Sequence, residues 1–158
     1  MNNDESVALR EMLVDAIGGH QAHLDFDSAV KDFPPQARGA KPDGAPHTAW
    51  QLLEHLRIAQ RDILDFSHDP KHQSPEWPEG YWPSIEAPHD PKAWDASVRA
   101  FRKDVREFEK LVQDLTQNLF KPFEHGDGQT LLREALLVAS HNSYHLGQLV
   151  FLKKMLPN

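Results

Sequence analysis

His141 and His145 stand one helical turn apart in the segment His141-Asn142-Ser143-Tyr144-His145-Leu146-Gly147-Gln148. On an α-helix such a pair projects from one face, near enough for both imidazoles to bind a single ion. Leu132, Leu136 and Leu146 flank the pair, which places the rings in an apolar stretch. A buried imidazole without a partner there costs about 1–3 kcal/mol, so a shared metal or hydrogen bonds must offset it. A third ring, His55, lies far upstream in Trp50-Gln51-Leu52-Leu53-Glu54-His55-Leu56, with the small Ala59 one turn beyond it. Three neutral imidazoles from two facing helices, with an open position left over, form a catalytic divalent-metal site. Imidazole suits zinc, nickel, iron and copper alike, so ligand type does not choose the metal. A lone His-x-x-x-His is weak evidence, because histidines hydrogen-bonded within a core read the same way.

The neighbours of this triad sort by helical spacing. Gln148 falls on the face of His141 and His145, where it can hydrogen-bond a ring nitrogen, a bound water or a substrate. Asp62 shares the face of His55 and Glu134 that of His141, and each can orient an imidazole or act as a general base. Solvated surface carboxylates remain the plainer reading of both. His20 and His23 on the first helix are weaker candidates, brought closer by Gly18-Gly19. His47 reads as a capping or linker residue at the mouth of the site. His68, His72, His89 and His125 fall in turns and linkers and read as surface residues.

Four helical windows must carry these residues. The first spans about Asp4 to Val30, weakened midway by Gly18-Gly19, with Val7, Leu13, Val14, Ile17 and Leu24 on one side. The second spans Thr48 to Ser67, opened by a Thr48/Gln51 capping box. The third spans Pro91 or Lys92 to Asn118 with an apolar stripe from Trp94 to Leu115. The fourth spans Gln129 to Met155 and is apolar almost all round, as befits a helix surrounded by neighbours. Most of the twelve prolines lie in two connections, residues 32–47 and 69–91, which therefore cannot be helical throughout. No window alternates like a strand. The expectation is an all-α four-helix bundle forming one domain over residues 1–158. Trp77, Tyr81 and Trp82 in the second connection should pack on its body as a lid.

Composition narrows the function classes. The chain of 158 residues has no cysteine, which excludes disulfides, thiolate zinc sites and a cysteine nucleophile. The net charge of −7 and the intermixed basic residues leave no basic face for a nucleic acid. No stretch approaches the ~18 consecutive apolar residues of a membrane span. The polar, acidic segment Met1 to Arg10 lacks the pattern of a signal peptide, so the expected compartment is the cytoplasm. Inward-facing Glu-x-x-His pairs of di-iron bundles do not occur in the helical windows, nor do a phosphate loop, a dinucleotide fingerprint or Gly-x-Ser-x-Gly.

The two histidine motifs and the four-helix plan resemble the DinB-like (DinB/YfiT-like) metal-binding four-helix bundles over nearly the whole chain. The resemblance implies that His55, His141 and His145 bind a divalent metal, nickel or zinc. It implies an up-down-down-up bundle with its long crossover between the second and third windows, and a homodimer, although charged outer faces suit a monomer. It also implies a small-molecule substrate and an activity among thiol transfer with a low-molecular-weight thiol, thiol-dependent maleylpyruvate isomerisation and metal-dependent hydrolysis, of which the first and last are the leading expectation. Gln148 and Asp62 would then handle the proton or the substrate. Because the ligands must be deprotonated, metal affinity should fall below the free-histidine pKa of ~6.5. A non-catalytic stress or interaction protein, with a structural metal or none, is the alternative from another class.

Overall fold

The structure, a computed structural model, describes residues 2–156, and among them the regular elements are all helical. Met1 and Pro157–Asn158, the ends of the expected single domain, lie outside the described residues. Five α-helices follow in order: α1 (Asn3–Ile17), α2 (Phe26–Val30), α3 (Ala49–His68), α4 (Pro91–Gln113) and α5 (Leu131–Met155). Single 3-10 turns at Pro35–Ala37 and Glu79–Tyr81 punctuate the two proline-rich connections.

Each long helix starts where a side chain can satisfy the free N–H groups of its first turn. Asn2 and Glu5 form a reciprocal box at α1, and Thr48 and Gln51 form the expected one at α3. Asp90 accepts from the N–H groups of Lys92 and Ala93 while Pro91 opens α4. Thr130 caps α5 through the N–H of Arg133.

Two windows are shorter than their apolar spacing predicts. The first stops at Ile17, where Gly18 caps it and Gly19 turns into the left-handed region at φ 79°. Asp25 then starts a separate short helix, α2. Leu24, expected on the buried stripe, is exposed. The third window stops at Gln113 rather than Asn118, and Leu115 turns out to solvent. Its end is set by Arg10, which is buried in α1 and donates Nη1 to the carbonyls of Val112 (2.5 Å) and Asp114 (3.0 Å). Its Nη2 reaches the carbonyl of Gln117 at 2.5 Å. A cation meeting the last carbonyls of a helix satisfies them and complements the helix dipole. Arg10→Ala is expected to destabilise the fold by about 2–3 kcal/mol, since it leaves the buried Val112 carbonyl unpaired and removes two further charge-assisted bonds. Chemical denaturation monitored by circular dichroism measures the change, and a loss within ~0.5 kcal/mol would contradict this role.

The long helices form a closed cycle of packing: α3 lies against α4 and α5, and α1 lies against the same two. The core divides into two clusters. One gathers Phe33, Trp50, Leu53, Trp94 and Leu149; the other gathers Leu13, Ile63, Phe108, Val112 and Val138. In chain order His55 lies between Leu53 and Ile63 on α3, and His141 and His145 lie between Val138 and Leu149 on α5. The rings therefore occupy the seam between the two apolar halves.

α5 departs from its expected all-round burial. Leu136, Tyr144, Phe151 and Met155 are exposed along one side, and Gly147 faces open space among them. The second connection is tied down along α3. Thr48 Oγ1 donates to the Glu86 carbonyl at 2.7 Å and Tyr81 donates its hydroxyl to Asp62 at 2.7 Å. Tyr81 and Trp82 pack on the body as expected, but Trp77 remains 75% exposed and is no part of a lid.

Candidate metal centre

The helical repeat of α5 sets His141 and His145 on one face, and α3 presents His55 opposite them. His55 and His145 are buried and His141 is half-buried. His55 Nε2 lies 3.0 Å from His141 Nε2 and 3.1 Å from His145 Nε2. One ligand atom from each ring falls within a cluster of 4.8 Å, so the three together can hold a metal ion. Two nitrogens bound to one ion at ~2.0–2.1 Å lie no more than about 4.2 Å apart, and both separations satisfy that limit.

Hydrogen-bond accounting explains why a cation suits this point. His55 Nδ1 lies 3.0 Å from the Tyr81 carbonyl, which can only accept, so this nitrogen carries the ring hydrogen. His145 Nδ1 likewise donates to Gln148 Oε1 at 2.8 Å. Neutral rings held in that tautomer have bare Nε2 atoms, and here two bare atoms face each other. His141 Nδ1 is buried without a partner, and its Nε2 points at the same place. A single hydrogen on His141 Nε2 could serve His55 and would leave His145 unserved. A positive ion among the three serves all of them at once. Burial pushes His55 and His141 down to about 4 and lowers His145 as well, so the rings are neutral and ligand-competent at neutral pH.

A stack of aromatic rings closes one side. Trp82 lies parallel to His55 at 3.9 Å between ring centroids, and His47 lies on Trp82 at 3.7 Å. His47 is thus more than a capping residue: it forms the outer layer of this stack. Tyr144 meets the His145 ring edge-on at 4.9 Å.

Gln148 sits beside the rings as its spacing predicts. Asp62 does not come to the imidazoles. Its two oxygens accept from Tyr81 Oη and His72 Nε2, each at 2.7 Å, and it reaches His55 only through the main chain of Tyr81. His72, expected at the surface, is half-buried by this contact. Glu134 is buried and paired with Arg133 at 2.8 Å, away from the three rings. His20 and His23 line a different cavity of about 220 Å³ between α1, α4 and α5, where His23 Nε2 meets Ser143 Oγ at 3.2 Å. His68, His89 and His125 are exposed. What the motifs could not show is the Tyr81 carbonyl, because a main-chain acceptor leaves no mark in residue type. Only the aromatic and proline density around Trp82 signalled that this connection touches the site.

The chain finds no match among curated proteins or among solved structures. A family model described as DinB superfamily matches residues 20–149, a span that contains all three histidines, Gln148, Asp62 and the Tyr81–Trp82 connection. The chain belongs to the DinB superfamily.

Proposed function

We propose that this protein is a metal-dependent enzyme that holds one divalent ion, nickel or zinc, through Nε2 of His55, His141 and His145. Its reaction is transfer to a low-molecular-weight thiol, or hydrolysis, of a small-molecule substrate. The same reading takes the four long helices as an up-down-down-up bundle with the crossover between α3 and α4. The observation that carries it is the convergence of three neutral ring nitrogens, two of them fixed by their Nδ1 bonds.

A divalent ion supplies Lewis acidity and lowers the pKa of a bound water or thiol toward neutrality. The chain's own residues prepare for this. Burial keeps the imidazoles unprotonated, and Trp82 covers one face of His55 against water. Asp62 holds Tyr81, and through it the acceptor that fixes the tautomer of His55. Gln148 fixes the tautomer of His145. Outer partners of this kind are worth ~10–100-fold in metal affinity. Gln148→Leu is therefore expected to weaken zinc binding by that factor, read by competition with a chromophoric chelator; unchanged affinity would remove Gln148 from the site.

The reading is tested on tag-free protein by metal analysis and turnover. The assays pair glutathione, bacillithiol or mycothiol with 1-chloro-2,4-dinitrobenzene, and follow 4-nitrophenyl acetate hydrolysis. One ion per chain, and a rate abolished by dipicolinate and restored by zinc or nickel, are expected. Failure to take up either metal, or a rate indifferent to the chelator, would overturn it.

A further inference from the structure

A cavity of about 290 Å³ opens where residues 43–47 meet the last turns of α5, next to residues that touch the ring cluster. Leu52 and Leu152, both buried, form its floor, and Phe151 and Met155 form its outer wall. Those two side chains are 63% and 50% exposed, although they belong to the helix that carries two of the histidines. Two further lining residues join the cavity to the ring cluster. Gln148 accepts the hydrogen of His145 Nδ1, and His47 is the outer ring of the stack that covers His55.

The state of Gln148 gives the cavity its chemistry. Its oxygen is committed to His145, while its amide nitrogen, with two hydrogens to donate, has no partner among the described residues. The cavity thus offers an apolar floor and wall with the Gln148 amide as a donor beside a ring of the triad. Among the described residues, Asp43 is the only carboxylate on its lining, which contains no lysine or arginine. Lys41 acts on His47 from nearby but is paired with Glu86 at 3.0 Å, so an anionic ligand would find no unpaired cation on that lining. Small-molecule sites have this make-up, apolar surface with a few placed polar groups that orient the ligand.

We propose that this cavity receives the apolar body of a neutral substrate, whose carbonyl oxygen accepts a hydrogen bond from Gln148 Nε2. The assignment names the substrate class for the metal-centre reading above and takes its catalytic meaning from it, but binding itself needs only the cavity. It places the carbonyl next to His145, where the proposed thiol transfer or hydrolysis would take it up. A second copy of this chain covering Phe151 and Met155 is the competing occupant.

The test uses nitrogen-15 spectra of the full chain, metal-free and zinc-loaded, titrated with acetophenone, ethylbenzene and benzoate. Acetophenone is expected to shift the Gln148 side-chain amide and the backbone of residues 43–47 in both forms. Ethylbenzene, which lacks the acceptor, should bind about fivefold more weakly, the worth of one hydrogen bond, and benzoate more weakly still. Ala45→Phe fills the cavity and Phe151→Ala removes its wall. Either should weaken acetophenone binding at least tenfold while zinc content is unchanged; the exposed position of Phe151 keeps the second variant folded if the first is not. Equal binding of the three ligands, shifts confined to other residues, or wild-type affinity in Phe151→Ala overturns the proposal. So does a wild-type dimer by analytical ultracentrifugation that Phe151→Ala dissociates, with Gln148 unmoved by acetophenone. Loss of the metal reading would appear separately, as no zinc uptake with the acetophenone shifts intact.

Discussion

His145→Ala, and equally His55→Ala or His141→Ala, should abolish stoichiometric metal binding. Losing an outer partner costs ~10–100-fold in affinity, and losing one of three donors must exceed that range. The effect is local, because the residues around the rings belong to two apolar clusters that do not need the imidazoles for their own packing. Circular dichroism should therefore show the helical content kept while metal analysis shows the ion gone. His55→Ala is the most informative of the three. His55 Nε2 is the atom that lies near both others, at 3.0 and 3.1 Å, so it is the hub of the cluster. A His55→Ala protein that still takes up one equivalent of zinc would place the ion elsewhere and remove the basis of the proposed activity.

Acid is expected to act on the metal-free protein through the same rings. His55 and His141 are pushed down to about 4, chiefly by burial, whereas an unfolded histidine titrates near 6.5. Between those values the unfolded chain binds more protons than the folded one, so stability rises with pH across the window. The full stability is present above about 6.5 and declines as the pH falls toward 4, below which the loss is complete. A shift of about 2.5 pH units is worth roughly 3 kcal/mol for one ring. The two rings titrate as a coupled pair, so their joint effect falls short of twice that. Urea unfolding from pH 7.5 to 4 measures it, and a His55→Gln/His141→Gln protein should lose most of the slope. Asp104, Glu109 and Glu134, pushed up by burial, oppose this slope, so the comparison decides: equal slopes in the wild type and the double variant would show the rings accessible to protons without cost. The same shift revises the expectation from free histidine: metal retention should persist well below pH 6.5 and fail only toward 4.

The helical character and the triad itself were legible in residue types, for definite reasons. A Thr48/Gln51 box starts a helix with a clear register, and from that register His55 lands on the buried side. Four-residue spacing on a long apolar helix puts His141 and His145 together whatever the loops do. Less local features were hidden. Gly18-Gly19 was visible as a weakness, but whether two glycines bend or end a helix depends on the surroundings. Here Asp25 offers a competing start and the chain takes it. Arg10 looked like part of a polar terminus, and only the tertiary fold reveals it as the stop of α4 more than a hundred residues away. Asp62 had the right face and the wrong partner, because Tyr81 and His72 reach it first. The bare side of α5 escaped notice because an apolar helix reads alike whether its neighbours surround it or leave one flank open.

The acceptor that sets the tautomer of His55 is a peptide oxygen, and that has a consequence for how this site can vary. No exchange of the side chain at position 81 deletes it. What it depends on is the path of the connection, held at one end by Thr48 and Glu86 and in the middle by the phenol on Asp62. Insertions or deletions between residues 69 and 86 would therefore disturb the imidazole more than most point changes there. Beyond His72, Tyr81 and Trp82, the residues of this connection are free to diversify in chemistry as long as its length is kept.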